Sequence, residues 1–428
     1  MRKVKNIDLD QLVEKGILEE SSAEQVWSFY LHQKANAPNR LSIVLSVLGA
    51  TLVGLGIILI VAHNWDQLSR PFKTILAFLP MVIGQVASGY ALKKHNHSPA
   101  WKESTAVFLF FSVGGCLGMI SQIYNLEGEL GSFLLTWILL CLPMVYVMHS
   151  AIVSFLYIGG ITWYATNCGY SLNYEPYLYW GLLAAILPFY YRLYQHRPES
   201  NAFTYHSWAI ALSVLICLGL WSNNASEIMW VAYVTLLALY FLVGSLPFFR
   251  QKRYSKNPFI VIGTLGTIGL FLAFTFQGYW EEVILDRMDW SLLLMNQEFW
   301  VSLLLIAVTV LLLFKLRRGS PWKKLSPVPL GFLVFVPVFF LGYNYPLLGM
   351  VLSNIFVMGI GIFYIWRGNR QNKLGLLNLG LMTITVLIIC RFFDLDISFV
   401  TRGLLFVMVG VGFFIANYQL IKKRTSSD

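Results

Sequence analysis

The residues best suited to chemistry fall into three short strings. His63-Asn64-Trp65-Asp66, followed by Arg70, brings an imidazole, an amide, an indole, a carboxylate and a guanidinium close together. Gln122 and Tyr124 close an apolar run further on, and Arg391, Asp394, Asp396 and Arg402 form the last string. Asn64, Trp65, Asp66, Arg70, Gln122, Tyr124, Arg391, Asp394 and Arg402 are therefore the candidate substrate-binding residues. Metal chemistry is poorly served. One His and one Asp in the first string are too few ligands. Asp394-Leu395-Asp396 has a usable spacing, but Arg391 and Arg402 flank it and would neutralise it before a cation did. Phosphate-cradling Gly-Lys loops, HExxH and GxSxG are absent. No catalytic residue, cofactor or metal is expected, and the balance leans away from an enzyme.

The elements that must position these residues follow from composition. Of 428 residues, 57% are hydrophobic and 12% are charged. Soluble domains carry about twice that share of charge. The expectation is an all-α polytopic membrane protein, because apolar runs of about 20 residues span a bilayer as helices. Fourteen stretches qualify: 41–62, 72–92, 104–122, 132–149, 151–167, 177–194, 207–221, 228–249, 258–276, 298–316, 327–342, 346–366, 374–391 and 399–421. The count could fall to twelve, since 132–167 reads either as a hairpin or as one broken helix. No ionisable residue falls near a span centre in this reading. Neutral groups such as Asn354, Thr162 and Gln122 supply the polarity there.

The net charge of +10 comes from 31 Lys and Arg against 21 Asp and Glu. On a soluble chain it would raise nucleic acid as a partner; here the basic residues sit in short loops, and none is expected. With a cytoplasmic N-terminus, 20 Lys and Arg fall in inside loops, 6 in the N-terminal head and 5 outside, which accounts for all 31. Cytoplasmic loops collect Lys and Arg. Both termini are therefore expected in the cytoplasm of a bacterial inner membrane, with the bilayer as the main partner. The polar start gives no sign of a cleavable leader.

Residues 1–40 read as a separate cytoplasmic helical hairpin and 41–428 as the membrane domain. One short helix ends near Gly16. Ser21 and Glu24 then have capping-box spacing for a second, over roughly 23–34. This head is either a packing cap or a docking site for a cytoplasmic protein. The first, third and fifth runs contain glycine pairs, and the second, fourth, sixth and eighth carry Leu79-Pro80, Leu142-Pro143, Leu187-Pro188 and Leu246-Pro247, which suggests repeated hairpins with a proline-kinked second helix. Two contacts are also expected: Trp65 with Gln122 in one outer polar site, and Arg402 with an acidic side chain or with helix-end carbonyls, while Arg391 caps the end of the helix before it.

Several strings resemble a bacterial membrane family known as domain of unknown function 2157. LVGLGIILIVAHNWDQLSRPFK at 52–73, SQIYNLEG at 121–128, LTWILLCLPMVYVMHS at 135–150 and RFFDLDISFVTRGLLFVMVGVGFF at 391–414 carry the resemblance. It implies a multi-span inner-membrane protein and no particular reaction. Three functions stay open: a transporter or flippase-like protein for a polar or amphipathic envelope-related solute; a scaffold, assembly factor or sensor acting through the head; and an outer-face lipid-modifying enzyme. A polar cavity at mid-membrane favours the first, a solid apolar bundle the second, and an outer pocket of acids and arginines the third.

Overall fold

The computed structural model describes residues 3–4, 7–35, 67–169, 177–222, 226–285, 294–317 and 326–394, with scattered helical positions between 400 and 414. The chain divides into two compact units, Met1–Leu76 and Ala77–Asp428. In the first, β1 (Lys3–Val4) pairs antiparallel with β2 (Ile7–Asp8), and α1 (Leu9–Glu14) and α2 (Glu20–Ala35) follow. Gly16 has φ +67°, a left-handed turn that suits glycine after a helix. Helix α2 starts earlier than the capping-box spacing implies. Ser21 lies inside its first turn, and the acidic Glu20 at the start favours the positive helix end.

The remaining described elements are helical. They are α3 (Arg70–Lys94), α4 (Pro99–Tyr124), α5 (Leu130–Val147), α6 (Ala151–Gly169), α7 (Tyr177–His196), α8 (Asn201–Cys217), α9 (Met229–Gly244), α10 (Pro247–Arg250), α11 (Pro258–Ala273), α12 (Gln277–Leu285), α13 (Gln297–Arg317), α14 (Gly331–Asn344), α15 (Pro346–Arg370) and α16 (Leu374–Asp394). Of the fourteen stretches read from sequence, 41–62 lies outside the described residues and 399–421 is described only at scattered positions. The other twelve each coincide with a helix. Seven helices have the length and apolarity to cross a membrane: α3, α4, α5, α8 with its 3-10 extension to Trp221, α13, α15 and α16. The described chain thus carries seven candidate spans, half the number read from sequence. Met229–Gly244, Pro258–Ala273 and Val328–Asn344 are apolar but shorter.

The outer faces suit a lipid solvent. Leu304, Leu311 and Ile355 are 65%, 69% and 62% exposed on long apolar helices, surfaces that water would penalise and lipid tails accept. Residues 132–167 form a hairpin rather than one broken helix, because α5 ends at Val147 and His149 turns the chain with φ +54°. Pro80, Pro143 and Pro188 lie inside α3, α5 and α7. Leu246-Pro247 departs from that pattern. Helix α9 has already ended at Gly244, and Pro247 opens the four-residue α10, a position where its missing N–H costs nothing.

Two apolar cores fill Ala77–Asp428. One gathers Phe110, Leu134, Ile138, Tyr157, Ile161 and Ile186 from α4 to α7. The other gathers Val234, Phe271, Phe274, Trp280, Phe335 and Phe339. Leu236, Tyr240 and Ile262 join Ala211 of α8 in a smaller cluster between them.

Candidate functional site

The polar groups that the fold brings together lie on α4, α6, α7 and α8. Ser150 caps α6, accepting a hydrogen bond from the Val153 amide at 3.1 Å. Glu103, in the first turns of α4, completes that cap from another helix. Its carboxylate accepts from the Ala151 amide at 2.8 Å, from the Ile152 amide at 3.1 Å and from the Ser150 hydroxyl. Two of the backbone donors that a helix start leaves open thus meet one anion, a third goes to Ser150, and the positive end of α6 adds its own attraction.

One turn further along α6, the fully buried Ser154 faces His206 of α8. His206 Nδ1 lies 2.7 Å from the Ala202 carbonyl and Nε2 lies 2.9 Å from Ser154 Oγ. A carbonyl can only accept, so the ring proton sits on Nδ1. Nε2 is then the acceptor for the serine hydroxyl in the neutral ring. Phe155 and Phe189 wall the imidazole.

The same logic orients the bonds alongside and beyond. Ser207 donates to the Phe203 carbonyl at 2.8 Å, so the Tyr190 hydroxyl, also at 2.8 Å, must donate to Ser207. Thr162 donates to the Ile158 carbonyl at 2.7 Å. Ser213, 2.6 Å from Thr162, must therefore donate to it, and Tyr179, 2.7 Å from Ser213, donates in turn. The hydroxyls of Tyr179, Ser213 and Thr162 form a one-way chain across α7, α8 and α6 that ends on the Ile158 carbonyl. Ser154 and Thr162 are eight residues apart on α6, about 12 Å along its axis. Tyr157 and Tyr240 occupy the depth between, donating to the Leu182 carbonyl at 3.0 Å and the Ala211 carbonyl at 2.8 Å. The result is a polar seam running along α6 to α8 through an apolar bundle.

The end of the seam at Glu103 is the basic end of these helices. Lys93 and Lys94 end α3, Lys102 lies in the first turn of α4, and Arg192 and Arg197 lie near the end of α7. The chain between α9 and α11 folds back onto this end. Lys252 pairs with Glu199 at 3.3 Å, lies 4.9 and 4.4 Å from the Phe203 and Phe248 ring centres, and donates to the Pro198 carbonyl. Asn257 fastens the fold-back, donating to the Gly244 and Phe249 carbonyls at 2.9 and 3.1 Å while capping α11.

A second polar group surrounds the turn between α11 and α12. Arg391 of α16 donates from Nη2 to Thr275 Oγ1 at 3.2 Å, and its guanidinium lies 4.7 Å from the Phe276 ring centre. Asn354 of α15 donates to the Thr275 carbonyl at 3.1 Å and to the Met350 carbonyl at 2.8 Å. The Trp280 indole donates to the Phe274 carbonyl at 2.8 Å. Arg391 thus reaches out of its helix to a turn 116 residues earlier, beyond the helix-end role that its position suggested.

The other sequence-selected residues are less informative. Asn64, Trp65, Asp66 and Arg402 lie outside the described residues, so the expected contacts of Trp65 with Gln122 and of Arg402 with an acid fall there too. Asp394 is described only as the last residue of α16. Arg70 opens α3, exposed, and its carbonyl accepts from Thr74 at 2.9 Å. Gln122 and Tyr124 share the exposed last turn of α4, which Asn125 ends in a left-handed conformation with φ 47°. Sequence reading missed Glu103, Ser154 and His206. His206 was left just outside a span drawn from 207, yet it lies inside α8 and is 1% exposed. Among the described residues no group of three or more His, Cys, Asp or Glu is placed to hold a metal.

Comparison with known proteins agrees with the membrane reading. Residues 10–154 match a family described as predicted membrane protein (DUF2157), which covers about a third of the chain. That region includes α4, α5 and the start of α6, and with them Glu103, Ser150 and Ser154; His206 lies beyond it. No curated protein and no solved structure matches the chain.

Proposed function

We propose that this multi-pass membrane protein is a transporter of the bacterial cytoplasmic membrane that moves a polar or amphipathic solute along the α6–α8 seam. The observation that carries the reading is the seam itself. Hydroxyl and imidazole groups placed at successive depths on three helices offer a polar solute the hydrogen-bond partners that an apolar bundle would not. Their mutual pairing corresponds to a closed state. Pro143 and Pro188 give two helices beside the seam a local break in the backbone ladder from which to open. Near the second break, the Tyr146 hydroxyl donates to the Ala185 carbonyl. Arg391, held at its turn, is suited to an anionic headgroup arriving from the opposite end. Asn64, Trp65, Asp66, Arg70, Gln122, Tyr124, Asp394 and Arg402 are the further residues proposed to contact the solute.

In this reading the basic end faces the cytoplasm, fourteen spans complete the fold, and both termini are cytoplasmic. Reporters fused after Asp428 and inserted at 286–293 should then report opposite sides. Transport is tested with purified protein in liposomes carrying a fluorescent headgroup-labelled phospholipid. Bleaching of the inner-leaflet probe by an external reductant should be at least about tenfold faster than in protein-free vesicles, a difference of about 1.4 kcal/mol in barrier. An unchanged rate refutes an amphipathic solute.

One observation favours a second reading. In the N-terminal unit, Ile17, Val26 and Phe29 are 68%, 42% and 69% exposed. Apolar side chains on a short polar hairpin suit a cytoplasmic protein partner, which would make the head a docking element of a scaffold or sensor. Capture of a defined partner by residues 1–40, lost on Phe29→Asp, is the outcome that this alternative requires.

A further inference from the structure

We propose that Glu103 and His206 together bind a proton at the basic end of the seam. The proposal rests on the transport reading and deepens it by naming the ion that the site would couple. It starts from placement. Glu103 holds Ser150, and His206 holds Ser154. Ser150 and Ser154 are four residues apart at the start of α6, so they lie on one face about 5–6 Å apart. A carboxylate and an imidazole thereby hold two serines one turn apart on α6, between helices where an ionisable group is expensive to keep.

The chemistry balances within the site. With the site empty, Nδ1–H is donated to Ala202, Nε2 accepts from Ser154, and Glu103 is the one charge, held by the start of α6. A proton arriving from the basic end adds to the Nε2 lone pair. The Ser154 oxygen then accepts from Nε2–H. Its own hydrogen swings to the Ser150 carbonyl, four residues back, which already accepts the Ser154 amide at 3.2 Å. No bond other than these hydrogen bonds is broken, and the imidazolium is balanced by the Glu103 carboxylate. The loaded site is neutral overall, a state that crosses low-dielectric surroundings far more cheaply than a lone charge.

The ionisable groups on the helices around the imidazole favour this assignment. From α7 comes Tyr190, whose proton is committed to Ser207. From α5 comes Tyr146, whose ring packs edge-on against Phe189 and whose hydroxyl is committed to Ala185. Helix α11 carries no ionisable side chain. Lys252, which covers Phe203, is already paired with Glu199. Glu103 is thus the counter-charge within reach.

The test keeps His206 in place, so it does not depend on a variant that fails to fold. The chain has 7 histidines. The other six are replaced by Gln, the remaining ring is labelled with nitrogen-15, and the protein is studied in lipid bilayers by solid-state magnetic resonance. Between about pH 8 and about pH 4, a range that reaches well below the ordinary imidazole midpoint, the spectrum should change from one protonated and one bare nitrogen to two protonated nitrogens. Glu103→Gln in the same background should abolish that change. A bare nitrogen that persists throughout overturns the proposal, and so does an unaltered response in Glu103→Gln. The fluorescent-lipid assay on the same vesicles separates the two ideas. Probe movement with a permanently neutral ring rejects the proton site and leaves transport standing. Ring protonation without probe movement rejects an amphipathic solute.

Discussion

The helices α4 to α8 and the helices α9 to α16 solve the same problem differently. Both must hold apolar helices together in lipid, where burial of apolar surface gives no drive for one helix to seek another. In the first region the contacts are side-chain hydrogen bonds thrown across helix boundaries, such as Ser154 to His206 and Ser213 to Thr162. In the second, beside a few such bonds as Arg391 to Thr275, they are close backbone approaches at glycines. A Cβ on Gly263 would lie 2.6 Å from the Phe241 nitrogen, one on Gly368 would lie 2.4 Å from the Leu377 nitrogen, and one on Gly380 would lie 2.5 Å from the Gly361 oxygen. Glycines in the first region mostly meet side chains instead, as Gly114 meets Trp137 and Gly131 meets Cys168. A hydroxyl can exchange one partner for another by rotating a single bond. Backbone in contact with backbone cannot. The comparison therefore assigns rearrangement to α4–α8 and the role of a fixed frame to α9–α16.

The comparison can be broken most forcefully at Trp280. Its ring is fully buried in the second core, and Gly342 and Gly349 leave room for it. Trp280→Ala should cost about 3–5 kcal/mol and leave little protein that elutes as a single species from detergent. Gly380→Val should cost about 3 kcal/mol by overpacking. The same change at Gly159, where a Cβ would meet nothing within 4 Å, should leave heat-induced unfolding almost unmoved. Equal melting temperatures for those two variants would remove the frame. Glu103→Ala strips the cap from α6 and should cost about 1–2 kcal/mol, read as a lower melting temperature with the fold retained. Tyr179→Phe removes the first donor of the hydroxyl chain. It should cost only about 0.6 kcal/mol, the average for such bonds between membrane helices. A loss as large as that of Trp280→Ala would show the seam to be structural.

Much of the frame was legible in the sequence, because apolar runs bounded by charge, Gly and Pro dictate where helices form. The proline breaks in α3, α5 and α7 were visible too. Leu246-Pro247 misled, since the dipeptide looks the same inside a helix and just past its end, and Asn257 sets the outcome from outside the pattern. The seam was hidden for another reason. Glu103 and Ser150 are 47 residues apart, and His206 and Ser154 are 52 apart. Each looks ordinary alone: a loop acid, a small residue, a histidine at the edge of an apolar run. Only the pairing of α6 with α4 and α8 makes them one site. Arg391 stood out by type, but its partner Thr275 could not be read from spacing.

The central claim is that the α6–α8 seam opens to water while the frame stays shut. It is tested most directly by thiol accessibility in membrane vesicles, after replacing the 5 native cysteines with Ala. Ser213→Cys sits in the middle of the hydroxyl chain, and Leu236→Cys sits buried in α9. A small water-soluble, charged thiol reagent should modify Ser213→Cys at least about tenfold faster than Leu236→Cys. Equal rates at the two positions would mean that the seam stays as dry as the core, and the transport account would be wrong.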